Sequence, residues 1–490
     1  MITLKQKTVS GFKWLLVNNI LQKVISVGTF AILARILEPS TFGLFAMAFI
    51  AIDGISLFKT FGLDGGIIQK KNIPEKANHT AFFIILGLSI LLAFICFGLA
   101  PFVGTFFNNH ELGSIIRALG VVFVMSGFGR VPSAVLTKQL RFKLISIIAL
   151  IGSIVNCFFA VIFALLWPNV WSLVGAYVIR HSVMAFLSWY FSGYRLKWEF
   201  DLKLAKELFG FGKFLLGLSF ISYVASNASN VIIGKILGAA AVGYFTLAYN
   251  IGNFINNQFT YTISRVMFPA YSAVQDDRKI VGQAYLKVVK FIMMLSLPYS
   301  IALICLSKEF VLTIYGERWL SIVPLIRLLG FVQMVAPIFF TGSPVYQGCG
   351  RPDYDFKLNS ASVLLSIPLI IVLTKLFGLT GAVFASIATV WVITPISVFL
   401  VHKITGFSLV QFFKQLIPAL LCSITMLVSI LLAKGLLIAH PSVFNAKFNH
   451  LVILTILATV GLVTYGISYF FADRKSAIEV RNMIFNLEKA

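Results

Sequence analysis

Charge is scarce in this 490-residue sequence. Asp, Glu, Lys and Arg make up only 12% of it, about half the roughly 25% of a soluble domain. A chain with so little charge does not face water over most of its surface, and lipid is the alternative. Acidic residues are the scarcest: 17 Asp and Glu stand against 40 Lys and Arg. The five cysteines, Cys96, Cys157, Cys305, Cys349 and Cys422, include no Cys-x-x-Cys pair, so neither a disulfide framework nor a thiolate metal site is expected. No Gly-x-x-x-x-Gly-Lys-Ser/Thr run occurs, which excludes a P-loop for ATP hydrolysis. Gly348 and Gly350, next to Arg351-Pro352, read as a turn between spans. No paired carboxylates and no large loop are present, which argues against a membrane-bound glycosyltransferase or polymerase. The chain is not expected to be an enzyme or to need a cofactor.

What is abundant is apolar: 59% of residues are hydrophobic and the mean hydropathy is +0.93. A spanning helix needs about 20 mostly apolar residues. About fourteen such segments follow, at 12–36, 41–62, 80–103, 113–137, 143–167, 170–194, 210–234, 240–268, 284–306, 319–348, 357–377, 379–401, 415–437 and 450–471. The first has a basic flank like a signal peptide, but Asn18, Asn19, Gln22 and Lys23 mark it as a retained span. The tenth, with Pro324, Pro337 and Pro344, is expected to be kinked or broken.

The net charge of +23 is not a nucleic-acid signature, because the basic residues recur in short clusters between apolar runs. With the N-terminus placed in the cytoplasm, alternate loops hold 25 Lys and Arg on the cytoplasmic side and 7 on the other. This asymmetry follows the positive-inside rule and predicts an even number of spans with both termini cytoplasmic.

The chain repeats itself at an offset of 200. Leu15-Leu16 matches Leu215-Leu216, Ile36-Leu37 matches Ile236-Leu237, and Gly43-x-Phe45 matches Gly243-x-Phe245. Six spans separate the copies, so the lobes keep one orientation. The expected organisation is a six-helix lobe at 1–195, a second at 196–403, and two added helices with a cytoplasmic tail at 404–490.

The offset also aligns polar stripes. Asn19, Gln22 and Ser26 share one face of the first span and correspond to Ser219, Ser222 and Ser226, extended by Asn230. Asp53, Ser56, Thr60 and Asp64 correspond to Asn253, Asn256, Thr260 and Ser264. Polar groups facing lipid are costly. A single Ser is ordinarily glue between helices, whereas four aligned stripes point to a shared cavity. Eight cations lie within spans. Lys59, Arg117 and Lys290 sit near span ends and are expected to snorkel. Lys23, Arg130, Arg180, Arg265 and Arg327 lie deeper, with Asp53 the one acidic residue among them. This excess predicts a hydrated cationic chamber, since Arg presents a planar fork of donors to phosphate oxygens. For each Arg alone, a structural contact with backbone carbonyls is the alternative. Lys23 is the expected ion-pair partner of Asp53, with proton or sodium exchange at Asp53 left open. His181 is expected to be packed.

Ser10-Gly11-Phe12-Lys13-Trp14, Ala34-Arg35-Ile36-Leu37-Glu38-Pro39-Ser40-Thr41-Phe42-Gly43-Leu44-Phe45 and Phe61-Gly62-Leu63-Asp64 resemble the polysaccharide-exporter family, which includes Wzx-type flippases. Ile236-Leu237-Gly238, Val242-Gly243-Tyr244-Phe245 and Phe268-Pro269-Ala270-Tyr271-Ser272 are similar too. The resemblance implies an all-α polytopic membrane protein with two six-helix lobes in a V around a central cavity. It implies an undecaprenyl-diphosphate-linked oligosaccharide as substrate, moved by alternating access in a bacterial inner membrane. Membrane lipid and, where export is followed by polymerisation, polysaccharide polymerase machinery are the implied partners. An ion-coupled exporter of small molecules on the same fold is the competing reading.

Overall fold

The structure is a computed structural model that describes residues 4–58, 75–201, 213–439 and 450–474. Every regular element among them is helical. The helices are α1 (Leu4–Ile36), α2 (Pro39–Ser56), α3 (Glu75–Phe106), α4 (His110–Lys138), α5 (Phe142–Leu166), α6 (Val170–Ser192), α7 (Lys213–Leu237), α8 (Ala239–Gly252), α9 (Tyr261–Ala273), α10 (Arg278–Ile314), α11 (Val323–Gln333), α12 (Ala336–Gly348), α13 (Pro352–Thr405), α14 (Leu409–Ala439) and α15 (His450–Ala472). A π-helical turn, Asn256–Thr260, precedes α9, and a 3-10 turn, Glu317–Ile322, precedes α11.

Local sequence sets these boundaries. Pro39 opens α2, where a missing N–H costs nothing. Asn109 caps α4 by accepting from Leu112 N at 3.2 Å, and Asn169 caps α6 by accepting from Trp171 N at 3.0 Å. Asp277 caps α10 through the N–H groups of Lys279 and Ile280. The tenth expected span is broken, with α11 and its preceding turn bent by 42° from α12. The 54 residues of α13 would extend about 81 Å as one rod, far beyond a hydrocarbon core of about 30 Å. Gly378, at φ 61° and ψ −140°, reverses the chain there. A Cβ on Gly381 would lie 1.9 Å from Leu373 O, so the two arms return tightly on each other. Hence α13 is two spans, divided where the sequence placed the division.

Among the described residues, nine helices are long and apolar enough to cross a membrane, or ten if the bent pair is one span. Pro352–Thr405 counts once in that number. Helices α8 and α9, of 14 and 13 residues, are each too short to cross alone. Large apolar side chains lie exposed along the spans, such as Phe94 at 70% and Leu364 at 74%, a surface that water does not tolerate but lipid does.

The chain packs as two compact units, residues 1–243 and 244–490. In the first, α3 packs on α4, α4 on α6, α5 on α6 and on α1, and α2 lies against α4 and α7. The repeat is visible in its helix starts, since α2 begins at Pro39 and α8 at Ala239. Within the first unit these starts cross backbone to backbone. A Cβ on Gly43 would sit 1.7 Å from Ala239 O, and one on Gly243 would sit 2.1 Å from Pro39 O. Each glycine therefore meets the repeat-equivalent of its counterpart's neighbour, a local two-fold arrangement that leaves no room for a side chain.

In the second unit, α10 is the central packing element, with α11, α12, α14 and α15 against it. Its core includes Tyr285, Val289, Met293 and Leu297 of α10 and Met426 and Ile430 of α14. Two ion pairs fasten α14 and α15 to α10. Lys290 pairs with Asp473, and Lys434 Nζ lies 2.7 Å from Glu309 Oε1. Lys290, expected to snorkel, is therefore an ion-paired residue: the end of α15 brings a carboxylate to it. Lys290 and Glu309 are 19 residues apart on one helix, about 28 Å. That span is comparable to the hydrocarbon thickness.

Candidate functional site

In the first unit α5 packs closely on α6 at Arg180, and α1 is bonded to α5 beside that contact. Helix α6 carries Tyr177, Arg180 and His181 on successive turns of one face. Helix α5 approaches closely because it presents Gly152, where an added Cβ would lie 3.6 Å from Arg180 Cγ and 2.7 Å from the Met184 side chain. Helix α1 contributes Gln22, whose Oε1 accepts from Ser153 Oγ at 3.2 Å.

Helix α2 contributes Asp53. Asp53 and Arg180 both lie within electrostatic reach of the Tyr177 hydroxyl, and Asp53 within reach of Tyr223 on α7 as well. Tyr223 is held in place by donating its hydroxyl to Ile50 O at 2.6 Å, across Gly54. The rings of Phe45 and Phe49 pack edge-on to Tyr177 at 6.2 and 4.8 Å. His181 is packed as expected, its ring 4.3 Å from that of Tyr177 and its Nδ1 donating to Tyr177 O at 3.0 Å.

Asp53 makes no ion pair with Lys23. Lys23 is exposed on α1, and the neighbours of Asp53 on α6 and α7 are the phenols of Tyr177 and Tyr223 instead, so the expected pairing is corrected. Arg180 is half-buried, and its Nε is a buried donor with no hydrogen-bond partner. Leaving such a donor unmet costs about 1–3 kcal/mol, more for a charged group. Arg180 thus presents a guanidinium with unused capacity to donate, within electrostatic reach of the Tyr177 phenol.

The other candidate residues are placed as follows. Ser26 and Ser226 are exposed, Asn230 is half-buried, and Ser56 donates to Asp53 O at 2.7 Å. Arg130 is exposed on α4. The side chains of Asn19, Ser219 and Ser222, and residue Thr60, lie outside the described residues. In the second unit, Asn253, Asn256 and Thr260 are buried and bonded in series: Thr260 Oγ1 to Asn256 Oδ1, and Asn256 Nδ2 to Asn253 Oδ1, both at 3.4 Å. Gln333 Nε2 donates to Asn253 Oδ1 at 2.8 Å, and Ser296 Oγ to Gln333 O at 2.7 Å. This chain runs along the π-helical turn, a local irregularity frequent at functional positions. Arg265 is exposed and stands over the Tyr261 ring at 4.8 Å. Arg327 is exposed and its Nε donates to Ser307 Oγ at 3.3 Å.

The structure therefore places Asp53 and Arg180 around Tyr177 in the first unit, with Gln22 bonded to Ser153, and brings Asn253, Asn256 and Thr260 together in the second. Arg265 and Arg327 each have separate partners. Ser153, Tyr177 and Tyr223 were not singled out from the sequence. Gly152-Ser153, a small pair in the middle of an apolar run, was the available signal for the first; the tyrosines carry none.

Comparison with known proteins places this arrangement. Over 435 residues, 87% of this chain and 88% of the relative, the sequence is 28% identical to the lipopolysaccharide biosynthesis protein WzxC of Escherichia coli (strain K12). The fold is similar to that of the lipid II flippase MurJ in its inward closed conformation, with a TM-score of 0.72 at 14% identity, covering 96% of this chain and 99% of that one. It is also similar to an inward-facing multidrug resistance MATE family transporter of the MOP superfamily, with a TM-score of 0.62 at 17% identity over 79% of this chain and 96% of that one. The family model for polysaccharide biosynthesis proteins matches residues 32–324, well over half the chain, and this all-helical, multi-pass membrane protein belongs to that family.

Proposed function

We propose that the protein is a flippase. It carries an undecaprenyl-diphosphate-linked oligosaccharide from the cytoplasmic to the periplasmic leaflet of a bacterial inner membrane by alternating access. Both termini are cytoplasmic, and the repeat defines lobes at 1–195 and 196–403, with 404–490 appended. The diphosphate is held by Arg180, and Lys23, Arg130, Arg265 and Arg327 are the further cations assigned to the substrate. The prenyl tail stays in lipid.

The observation that carries this reading is the buried, unpartnered Nε of Arg180, within electrostatic reach of the Tyr177 hydroxyl. A guanidinium with a spare donor in a low-dielectric setting favours an anion with several acceptor oxygens. Family membership supports a role in polysaccharide biosynthesis.

Deleting the gene is expected to abolish one surface polysaccharide while its lipid-linked repeat unit accumulates inside, as measured by extraction and mass spectrometry. A null strain with normal surface glycan and no accumulated intermediate would overturn the reading. The fold shared with a multidrug transporter favours a second reading, an ion-coupled small-molecule exporter. That reading predicts hypersensitivity to cationic drugs in the same strain, with the glycan intact.

A further inference from the structure

Helix α6 ends at Gly193, whose φ of 65° turns the chain out of the helix. Residues 193–201 then form a strap with no helix among them, turning at Lys197, where Glu199 N donates to Lys197 O at 2.9 Å. This segment is fastened rather than loose. Tyr194 N donates to Ser192 Oγ at 3.1 Å, the Tyr194 hydroxyl lies 2.8 Å from His79 Nδ1, and Lys197 N donates to that nitrogen at 3.3 Å. Asp201 N donates to Thr80 Oγ1 at 3.0 Å. The strap is therefore pinned across the start of α3.

Its side chains alternate over residues 194–197, and beyond the turn Trp198 is exposed as well. Tyr194 and Leu196 pack inward against a core of Phe82, Ile85 and Val131. Arg195 and Lys197 point outward, and Trp198, with its ring 5.2 Å from that of Phe83, is 89% exposed. Phe200 is exposed beside it. The turn between α4 and α5 reaches the base of the strap, where Arg141 Nη1 donates to Phe191 O at 3.0 Å. That turn adds exposed Lys138 and Lys143 to the same end of the unit. Glu199 and Asp201 are the strap's carboxylates, against Arg195, Lys197 and the three cations of the turn.

The level of the strap in the membrane can be read from α6. Exposed Trp171 and Tyr190 lie 19 residues apart on it, about 28 Å. That is the separation of the two aromatic belts that flank a hydrocarbon core. Trp189, one residue from Tyr190, has its ring 5.4 Å from that of Tyr194. The strap thus runs along the belt on the side where loop cations are in excess.

We propose that this strap is a binding surface for anionic phospholipid headgroups. Trp198 and Phe200 enter the interface, and Arg195 and Lys197, with the cations of the α4–α5 turn, hold the phosphodiester. Exposed aromatic groups beside cations at belt height fit a lipid headgroup better than a soluble protein partner, which would find the surface occupied by lipid. The surface is separate from the Arg180 cluster and does not depend on what that cluster carries.

The full chain with Trp198→benzoylphenylalanine, reconstituted in vesicles of phosphatidylethanolamine and phosphatidylglycerol at 3:1, tests this directly. After illumination, lipid adducts at position 198 are identified by mass spectrometry. Each cation near an anionic surface gives about a fivefold preference, so the ratio of phosphatidylglycerol to phosphatidylethanolamine adducts is expected to exceed the bulk ratio at least about fivefold. Arg195→Gln with Lys197→Gln should return the ratio towards bulk. Adducts in bulk proportion, or no lipid adduct, would overturn the proposal. So would predominant adducts to another protein, or to a lipid-linked glycan when the same probe is illuminated in native membranes.

Discussion

Arg180→Gln is expected to cut glycan export by about tenfold to a hundredfold while the protein remains in the membrane at its normal level. The amide keeps the approximate shape of the side chain but loses the charge and the fork. A hydrogen bond to a charged group is worth about 1.5–3 kcal/mol, and each 1.4 kcal/mol is tenfold. Arg180→Lys should recover only part of the loss, because a point charge does not reproduce the planar donors. The Nε of Arg180 has no partner to lose, so removing the group costs little packing and the effect should fall on transport. The measurement is surface polysaccharide per cell against protein level in the membrane. Equal loss of protein and export would make Arg180 a structural residue. Arg265→Gln should act in the same direction; its exposed position over Tyr261 leaves the guanidinium accessible.

The largest effect on stability is expected at Gly43 and Gly243. An alanine methyl at either position would overlap a backbone carbonyl, 1.7 Å from Ala239 O or 2.1 Å from Pro39 O. No rotamer change relieves a clash with backbone, so the starts of α2 and α8 must move apart. Overpacking usually costs 1–3 kcal/mol; with both partners held in helices, about 3 kcal/mol is expected for each single change. Gly28→Ala and Gly87→Ala are the controls. A Cβ there meets nothing within 4 Å, and Ala is the better helix former by about 1 kcal/mol. Thermal unfolding of the purified protein in detergent should show a lowered midpoint for Gly43→Ala and Gly243→Ala, and an unchanged or raised midpoint for the controls. Normal midpoints for both crossing variants would contradict the close approach.

These cases show which features were legible in the sequence. Spans were legible because lipid imposes a length and a composition. Even the reversal at Gly378 was placed correctly, since two spans cannot share one 54-residue rod. The offset of 200 marked Gly43 and Gly243 as equivalent, but not that they cross each other. Pairings between distant residues were not legible. Lys434 and Glu309 are 125 positions apart, and Gln333 reaches Asn253 across 80. Nothing local in either residue names its partner. The pairing of Lys23 with Asp53 failed for the same reason: adjacency of spans does not fix which faces meet. Tyr177 and Tyr223 escaped notice because Tyr is common in membrane helices and carries no charge to count. Arg180 was legible because a deep cation in an apolar run has few explanations.

The central claim is tested most directly by translocation in a defined system. The purified chain, in proteoliposomes loaded with a fluorescent undecaprenyl-diphosphate oligosaccharide, should move the glycan between leaflets, and an impermeant glycosidase added outside should then reach a fraction growing with time. Wild-type vesicles are expected to expose it much faster than empty vesicles, and Arg180→Gln vesicles at close to the empty rate. Equal rates for wild-type and empty vesicles, with the protein folded and inserted, would contradict the account.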